Sequence, residues 1–190
     1  MRIGIIIFDG FDELDAIGPL EVFRMAASLG ADIQAELVTR EPAVAVTASH
    51  GLVVVPDCVY SPGEFGALLV VGGSWLDRSA EGAWTQVERG DWLPLLKAEA
   101  DAGTTMLSVC TGAMLLAHAG VIGARRATTH ASAHPDLADT GADVVDERVV
   151  DEGSLITCGG VTSGLDLALH FVGRLAGDNV ATQVRRRLEY

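Results

Sequence analysis

Lysine is almost missing: Lys97 is the single one in 190 residues. Schiff-base or lysine-base chemistry thus has one candidate, and the acidic stretch Lys97-Ala98-Glu99-Ala100-Asp101 around it reads as a solvated helix. Basic residues as a class are outnumbered, 13 against 26 acidic ones, which gives a net charge of -13 and an isoelectric point near 4.6. Counterion release on a phosphate backbone needs clustered Lys and Arg. The one basic run, Arg185-Arg186-Arg187, fits a helix end, so no nucleic-acid partner is expected. Cysteine is scarce too: Cys58, Cys110 and Cys158 are odd in number and far apart, with no Cys-x-x-Cys pair. That is the usage of a reducing compartment, not of a disulfide framework. Long apolar runs are absent. The opening MRIGIIIFDG is too short for a signal-peptide core and breaks at Asp9-Gly10, and no stretch reaches the length that crosses a bilayer. A cytoplasmic protein with no membrane partner is expected.

What is present is a core: 49% of the residues are apolar. A chain this long buries roughly 70% of its unfolded surface without a staple, so a single domain over residues 1–190 is expected. Short β-branched runs, each followed by Gly or Asp and then an amphipathic stretch, mark parallel βα units. Arg2–Phe8 is continuously apolar, as a strand buried on both faces must be, and Ile33–Val38, Leu68–Val71, Thr105–Val109 and Leu155–Thr157 follow it. Helical spacing covers Pro19–Leu29, Trp84–Asp101, Ala113–Ala119 and Ser163–Leu175, with Gly30 and Gly103 as stops. Alternation around His50-Gly51 predicts a β-hairpin inserted into the sheet, and a second antiparallel excursion is expected at Val144–Val150.

In an open α/β sheet, chemistry gathers at the carboxyl ends of the strands. Those ends fall at Asp9-Gly10, Gly72-Gly73, Cys110-Thr111-Gly112 and Gly159-Gly160. Cys110 lies between a buried strand and a helix that starts at once. This is the arrangement of a nucleophile elbow, in which a sharp turn holds its central residue above the sheet. The helix N-terminus favours a thiolate, so the spacing predicts a Cys110 pKa below the free-thiol value of about 8.5. A small buried core cysteine is the plain alternative. Asp15, in the loop after the first strand and flanked by Leu14 and Ala16, is the candidate proton partner, its pKa raised by apolar surroundings. Facing each other, Asp15 and Cys110 would share one proton. Alternatively, Asp15 caps a helix opening near Pro19, while Asp12 and Glu13 read as solvated cap residues.

These residues carry a resemblance. Phe8-Asp9-Gly10, Leu14-Asp15, Gly18-Pro19-Leu20-Glu21-Val22-Phe23, Val71-Gly72-Gly73, Ser108-Val109-Cys110-Thr111-Gly112-Ala113, Arg126-Ala127-Thr128-Thr129-His130, Glu147-Arg148-Val149-Val150 and Gly159-Gly160-Val161-Thr162-Ser163-Gly164 resemble the ThiJ/PfpI superfamily of class I glutamine-amidotransferase-like proteins. Within it the chain is most similar to the isonitrile hydratases. The resemblance spans the whole chain. It implies a flavodoxin-like three-layer α/β/α sandwich with a mostly parallel sheet, a homodimer, Cys110 as elbow nucleophile and Asp15 as its carboxyl partner. Aspartate there, where most of the superfamily has glutamate, points to the hydratases. Thr111, where the protease-like branch has histidine, points away from a peptidase. The implied chemistry adds water to an isonitrile through a Cys110 thioimidate, giving an N-substituted formamide, with no cofactor and no metal. The resemblance also implies that the N–H groups of Gly73 and Thr111 stabilise charge, that Val161 lines the pocket and that His130 lies nearby. The chain departs from the family at Ala131, where tryptophan is common, and at Trp75, in a loop usually built of small residues.

Trp75, directly after Gly72-Gly73-Ser74, is expected to overhang the pocket mouth, with surface packing or a subunit contact as the alternative. His130 and His134 form an i, i+4 pair without a third ligand, which argues against zinc. His50, His118 and His170 fit turn or helix packing, and Cys58 and Cys158 fit structural roles. Two other functions compete: a cofactor-free glyoxalase or deglycase in which Cys110 forms a hemithioacetal with an α-oxoaldehyde, and a non-catalytic thiol or ligand sensor.

Overall fold

The computed structural model describes all 190 residues. Its centre is a sheet built from β1 (Arg2–Ile6), β2 (Gln34–Thr39), β5 (Cys58–Val59), β6 (Ala67–Val70), β7 (Thr105–Ser108), β10 (Val149–Asp151) and β11 (Leu155–Cys158), in the order β10-β11-β7-β6-β1-β2-β5. Every pairing is parallel except β10 with β11. Ile3, Ile5 and Ile6 of β1 and all of β6 are fully buried, as strands covered by helices on both faces must be. Helices α1 (Glu13–Ser28), α6 (Ser163–Ala176) and α7 (Asp178–Arg187) pack together on one side. On the other side, α2 (Ala83–Arg89) and α3 (Leu93–Ala102) pack on α4 (Gly112–His118). The result is the flavodoxin-like α/β sandwich that the resemblance implies, built from the parallel βα units that the sequence pattern predicts. Two small sheets lie outside it: the hairpin of β3 (Val46–Thr47) with β4 (Val53–Val54), and β8 (Arg126–Ala127) parallel to β9 (Asp143–Val144), the latter beside α5 (His134–Asp139). No helix is long and apolar enough to cross a membrane.

Several expectations need correction. Helix α1 begins at Glu13, six residues before Pro19, because Asp12 caps it by accepting the N–H of Leu14 at 3.2 Å. Burial of Ala16, Leu20 and Phe23 outweighs the one ladder bond that Pro19 cannot donate. Asp15 therefore stands in the first turn of a helix, not in a loop. The stretch Trp84–Asp101 is two helices, since Gly90 takes a left-handed φ of 71° and ends α2. The hairpin at His50-Gly51 forms its own two-stranded sheet and is not inserted into the central one. It is tied to α1 by Glu13, whose carboxylate accepts from His50 N at 2.7 Å and Leu52 N at 3.3 Å. Burial works against the charge there, yet the His50 ring and these amides hold the Glu13 pKa at about 2. The second excursion is antiparallel only at β10, because β9 pairs in parallel with β8. Arg185, Arg186 and Arg187 do fill the last turn of α7, and Lys97 pairs with Asp101 one turn on.

Candidate active site

The carboxyl ends of β1, β6, β7 and β11 converge on one cavity of about 260 Å³, and Cys110, Thr111, Gly73, Trp75, His130 and Val161 line it. The turn that presents Cys110 is a true elbow. Cys110 has a φ of +54°, its N–H donates to Gly159 O at 3.0 Å, and its carbonyl accepts from Thr129 Oγ1 at 2.8 Å. A side chain at Gly112 would collide with the Val70 carbonyl, and one at Gly72 would come within 2.5 Å of the Thr111 nitrogen. Both glycines are therefore required by the close passage of β6 against the turn. Ser74, with a φ of +49°, and Val161, with +43°, also hold left-handed backbone, so three strained non-glycine residues face the same cavity.

Asp15 lies beneath the sulfur and is fully buried. One carboxyl oxygen, Oδ2, accepts the N–H of Gly72 at 2.9 Å, while Oδ1 has no partner. Burial, and behind it the charge of Asp12, pushes its pKa up to about 8, so the group is protonated at neutral pH. With Oδ2 held as an acceptor, the proton belongs on Oδ1. The thiol moves up as well, to about 12, through burial first and the charge of Asp15 second. This corrects the expected lowering of the Cys110 pKa. The N–H groups of Thr111 and Val161 do favour the anion, but burial outweighs them, since Cys110 is only 6% exposed. A proton shared between thiol and carboxyl remains the natural charge state once one is lost.

Four other expected residues are placed differently from the sequence reading. The N–H of Gly73 is not free to meet a charged intermediate, because it donates to Thr111 Oγ1 at 3.1 Å. Gly72 and Gly160 do not line the cavity: Gly72 anchors Asp15, and Gly160 sits behind His130, where a β-carbon would collide with the imidazole. Trp75 is a buried wall and not an overhang. It is 5% exposed, stacks edge-on with Trp84 at 5.1 Å, lies near His118 at 6.0 Å and donates from Nε1 to Asp136 Oδ2 at 2.6 Å. His130 accepts Ser132 N–H at Nδ1, 3.3 Å away, and lines the cavity, whereas His134 turns to the Thr129 carbonyl. No group of three or more His, Cys, Asp or Glu side chains is arranged to hold a metal ion. Cys158 is fully buried at the end of β11, and burial raises its pKa well above the ordinary thiol value. Sequence reasoning missed Asp12 as a cavity residue. It caps α1 from the cavity side, a position that becomes visible only once the helix is known to start at Glu13.

The DJ-1/PfpI family profile matches residues 1–174. The chain belongs to the DJ-1/PfpI family. It is 35% identical to an isonitrile hydratase of Pseudomonas putida over 191 residues, covering all of this chain and 78% of that one. A deglycase of Thermococcus kodakarensis is 27% identical over 83% of this chain and 89% of its own. A helix-turn-helix transcriptional regulator of Pseudomonas aeruginosa is 30% identical over 94% of this chain, which spans about half (52%) of the regulator. Among solved structures, a ThiJ/PfpI family protein from Pseudomonas syringae superposes with a TM-score of 0.86 at 27% identity, covering 100% of this chain and 74% of that one. The relatives thus include enzymes as well as a regulator of which the matched region is about half.

Proposed function

We propose that this DJ-1/PfpI protein is a cysteine-dependent lyase of the isonitrile hydratase type. The observation that carries the reading is the pair at the elbow: a thiol open to the cavity beside a fully buried carboxyl, one oxygen of which has no partner and whose pKa burial pushes up to about 8. An isonitrile carbon is both nucleophilic and electrophilic, so it needs a proton donor and a soft nucleophile at one point.

Sγ of Cys110 bonds to the terminal carbon while that carbon takes the proton from Asp15 Oδ1, and the carboxylate so formed takes up the thiol proton. The product is a thioimidate, S–CH=N–R, with one hydrogen added to carbon. Water then adds across the C=N bond, its proton moving by way of Asp15 to nitrogen. Collapse of the tetrahedral adduct breaks the C–S bond, forms the C=O of the N-substituted formamide and returns the proton to sulfur. Thr111 holds the Gly73 turn through its Oγ1 and directs its own N–H at the sulfur, while Val161 supplies a second N–H there. No cofactor or metal takes part in these steps.

A deglycase or glyoxalase reaction would use the same thiol to form a hemithioacetal. Aspartate at the acid position and the 35% identity to a hydratase favour isonitrile chemistry. The exposed apolar side chains of the hairpin segment, Val44, Leu52, Val53 and Val55, support a homodimer, which sedimentation equilibrium tests. The test of function is formamide production from an aryl isonitrile, with Cys110→Ala beside it. Turnover that the variant lacks supports the reading. Turnover in neither moves the assignment to α-oxoaldehydes, assayed with methylglyoxal, or to a thiol sensor.

A further inference from the structure

The cavity above Cys110 has no lysine or arginine in its wall. Its charged members are Asp12 and Asp77, joined by the imidazole of His130. That ring accepts Ser132 N–H at Nδ1, so its neutral form carries the hydrogen on Nε2. Arginines on neighbouring segments are engaged elsewhere: Arg78 stacks on Trp84 at 4.5 Å, and Arg148 pairs with Asp166 at 2.5 Å. Asp12 is the half-buried carboxylate of the set. Its Oδ1 caps α1 through Leu14 N–H, which fixes the side chain at the cavity edge, and its charge acts on both Asp15 and Cys110. Asp77 is exposed on the rim. Trp75, Leu76 and Val161 supply the apolar part of the wall, and the neutral hydroxyls of Ser74, Thr111 and Ser132 complete it.

We propose that Asp12 is a specificity determinant, whose carboxylate makes the cavity accept uncharged or cationic substrates and reject those bearing an anion near the reacting carbon. The proposal deepens the hydratase reading and rests on its assignment of Cys110 as the reacting group. In a cavity with a partly desolvated wall, a like charge within a few ångströms is screened far less than in water. The net charge of -13 adds a long-range field of the same sign. The substituent of an accepted isonitrile is then an alkyl or aryl group, or one carrying an ammonium, resting on Trp75 and Leu76. Carboxylate-bearing isonitriles are excluded.

Alkylation of Cys110 by iodoacetate and by iodoacetamide tests this without isonitrile chemistry. In both reactions an Sγ–C bond forms, the C–I bond breaks, iodide leaves and the thiol proton passes to solvent, so changes in thiol ionisation cancel in the rate ratio. Rates are read by mass spectrometry on the Cys110 peptide, which keeps Cys58 out of the measurement, and are referred to N-acetylcysteine. Cys110 is expected to disfavour iodoacetate at least about fivefold beyond the free thiol. Asp12→Asn, which keeps the N-cap acceptor, is expected to remove most of that excess. In the wild type, raising the salt concentration is expected to shrink it as well, a reading that stands whatever the fold of the variant. A wild-type ratio equal to that of the free thiol, a ratio indifferent to salt, or a folded Asp12→Asn protein with the wild-type ratio overturns the proposal. A neutral aryl isonitrile and its carboxylate analogue are assayed in parallel. Turnover of neither sinks the hydratase reading and leaves the alkylation ratio to decide on Asp12.

Discussion

Thr111 Oγ1 accepts the N–H of Gly73 at 3.1 Å, and this bond joins the nucleophile turn to the loop after β6. The contact matters because Gly73, with a φ of +132°, also lies tight against Gly10 and Phe11 of the β1 loop. Three strand ends are thereby locked around one sulfur. Thr111→Ser is expected to keep the acceptor and near-normal turnover. Thr111→Val leaves a buried N–H without a partner, at a cost of about 1–3 kcal/mol, and should lower kcat by about tenfold or more. Equal kcat in the two variants would reduce Thr111 to a space-filling role.

The thiol offers a second test. Burial and the Asp15 charge push Cys110 up to about 12, so its alkylation rate is expected to be still rising at pH 10. Asp15→Asn removes one of the two causes, and the midpoint should fall toward the free-thiol value of about 8.5. A wild-type midpoint below that value would restore the helix N-terminus as the stronger influence and contradict the burial argument.

Trp75, a wall of the cavity, is tied to α5 through its bond to Asp136. Asp136→Ala leaves the indole N–H without that partner and is expected to cost about 1 kcal/mol. The loss should appear as a small drop in Tm, a shift in tryptophan emission and a KM that rises for bulky substrates while kcat stays near normal. An unchanged KM would mean that the wall holds its shape without the bond.

Most of the central strands and the elbow were legible because both depend on local signals: β-branched runs ending in glycine, and a cysteine two residues before Gly112. The glycine argument survives in atomic terms, since a β-carbon there would meet the Val70 carbonyl. What stayed hidden depends on contacts distant in sequence. Pro19 looks like a helix start, yet the Asp12 cap and the buried face of α1 begin the helix six residues earlier. The dipole of α4 suggested a low thiol pKa, but the sequence does not show that Asp15 and the walls of the cavity would close around the sulfur. The Gly73 amide looked free for catalysis until Thr111, 38 residues on, was seen to accept it.

Asp15 itself makes the most demanding prediction, because one group should set both rate and stability. Its ordinary pKa is 3.8, and in the fold burial, followed by the charge of Asp12, raises it to about 8. Between those values the folded chain holds a proton that the unfolded chain has released, so this group's contribution to stability is full below about pH 4 and is lost as pH rises toward 8. Asp15→Asn keeps an acceptor for Gly72 N–H and removes the titration. Its stability relative to wild type should be close to unchanged near pH 3.5 and should grow with pH, to roughly a few kcal/mol by pH 8. Over the same range the variant should lose most of its turnover, since amide cannot deliver the proton to carbon. Thermal unfolding of both proteins at intervals from pH 3.5 to 8.5 reads the difference directly. A stability gap that does not widen with pH would mean that the carboxyl is ionised in the fold, and the proton donor in the proposed hydration step would have to be sought elsewhere.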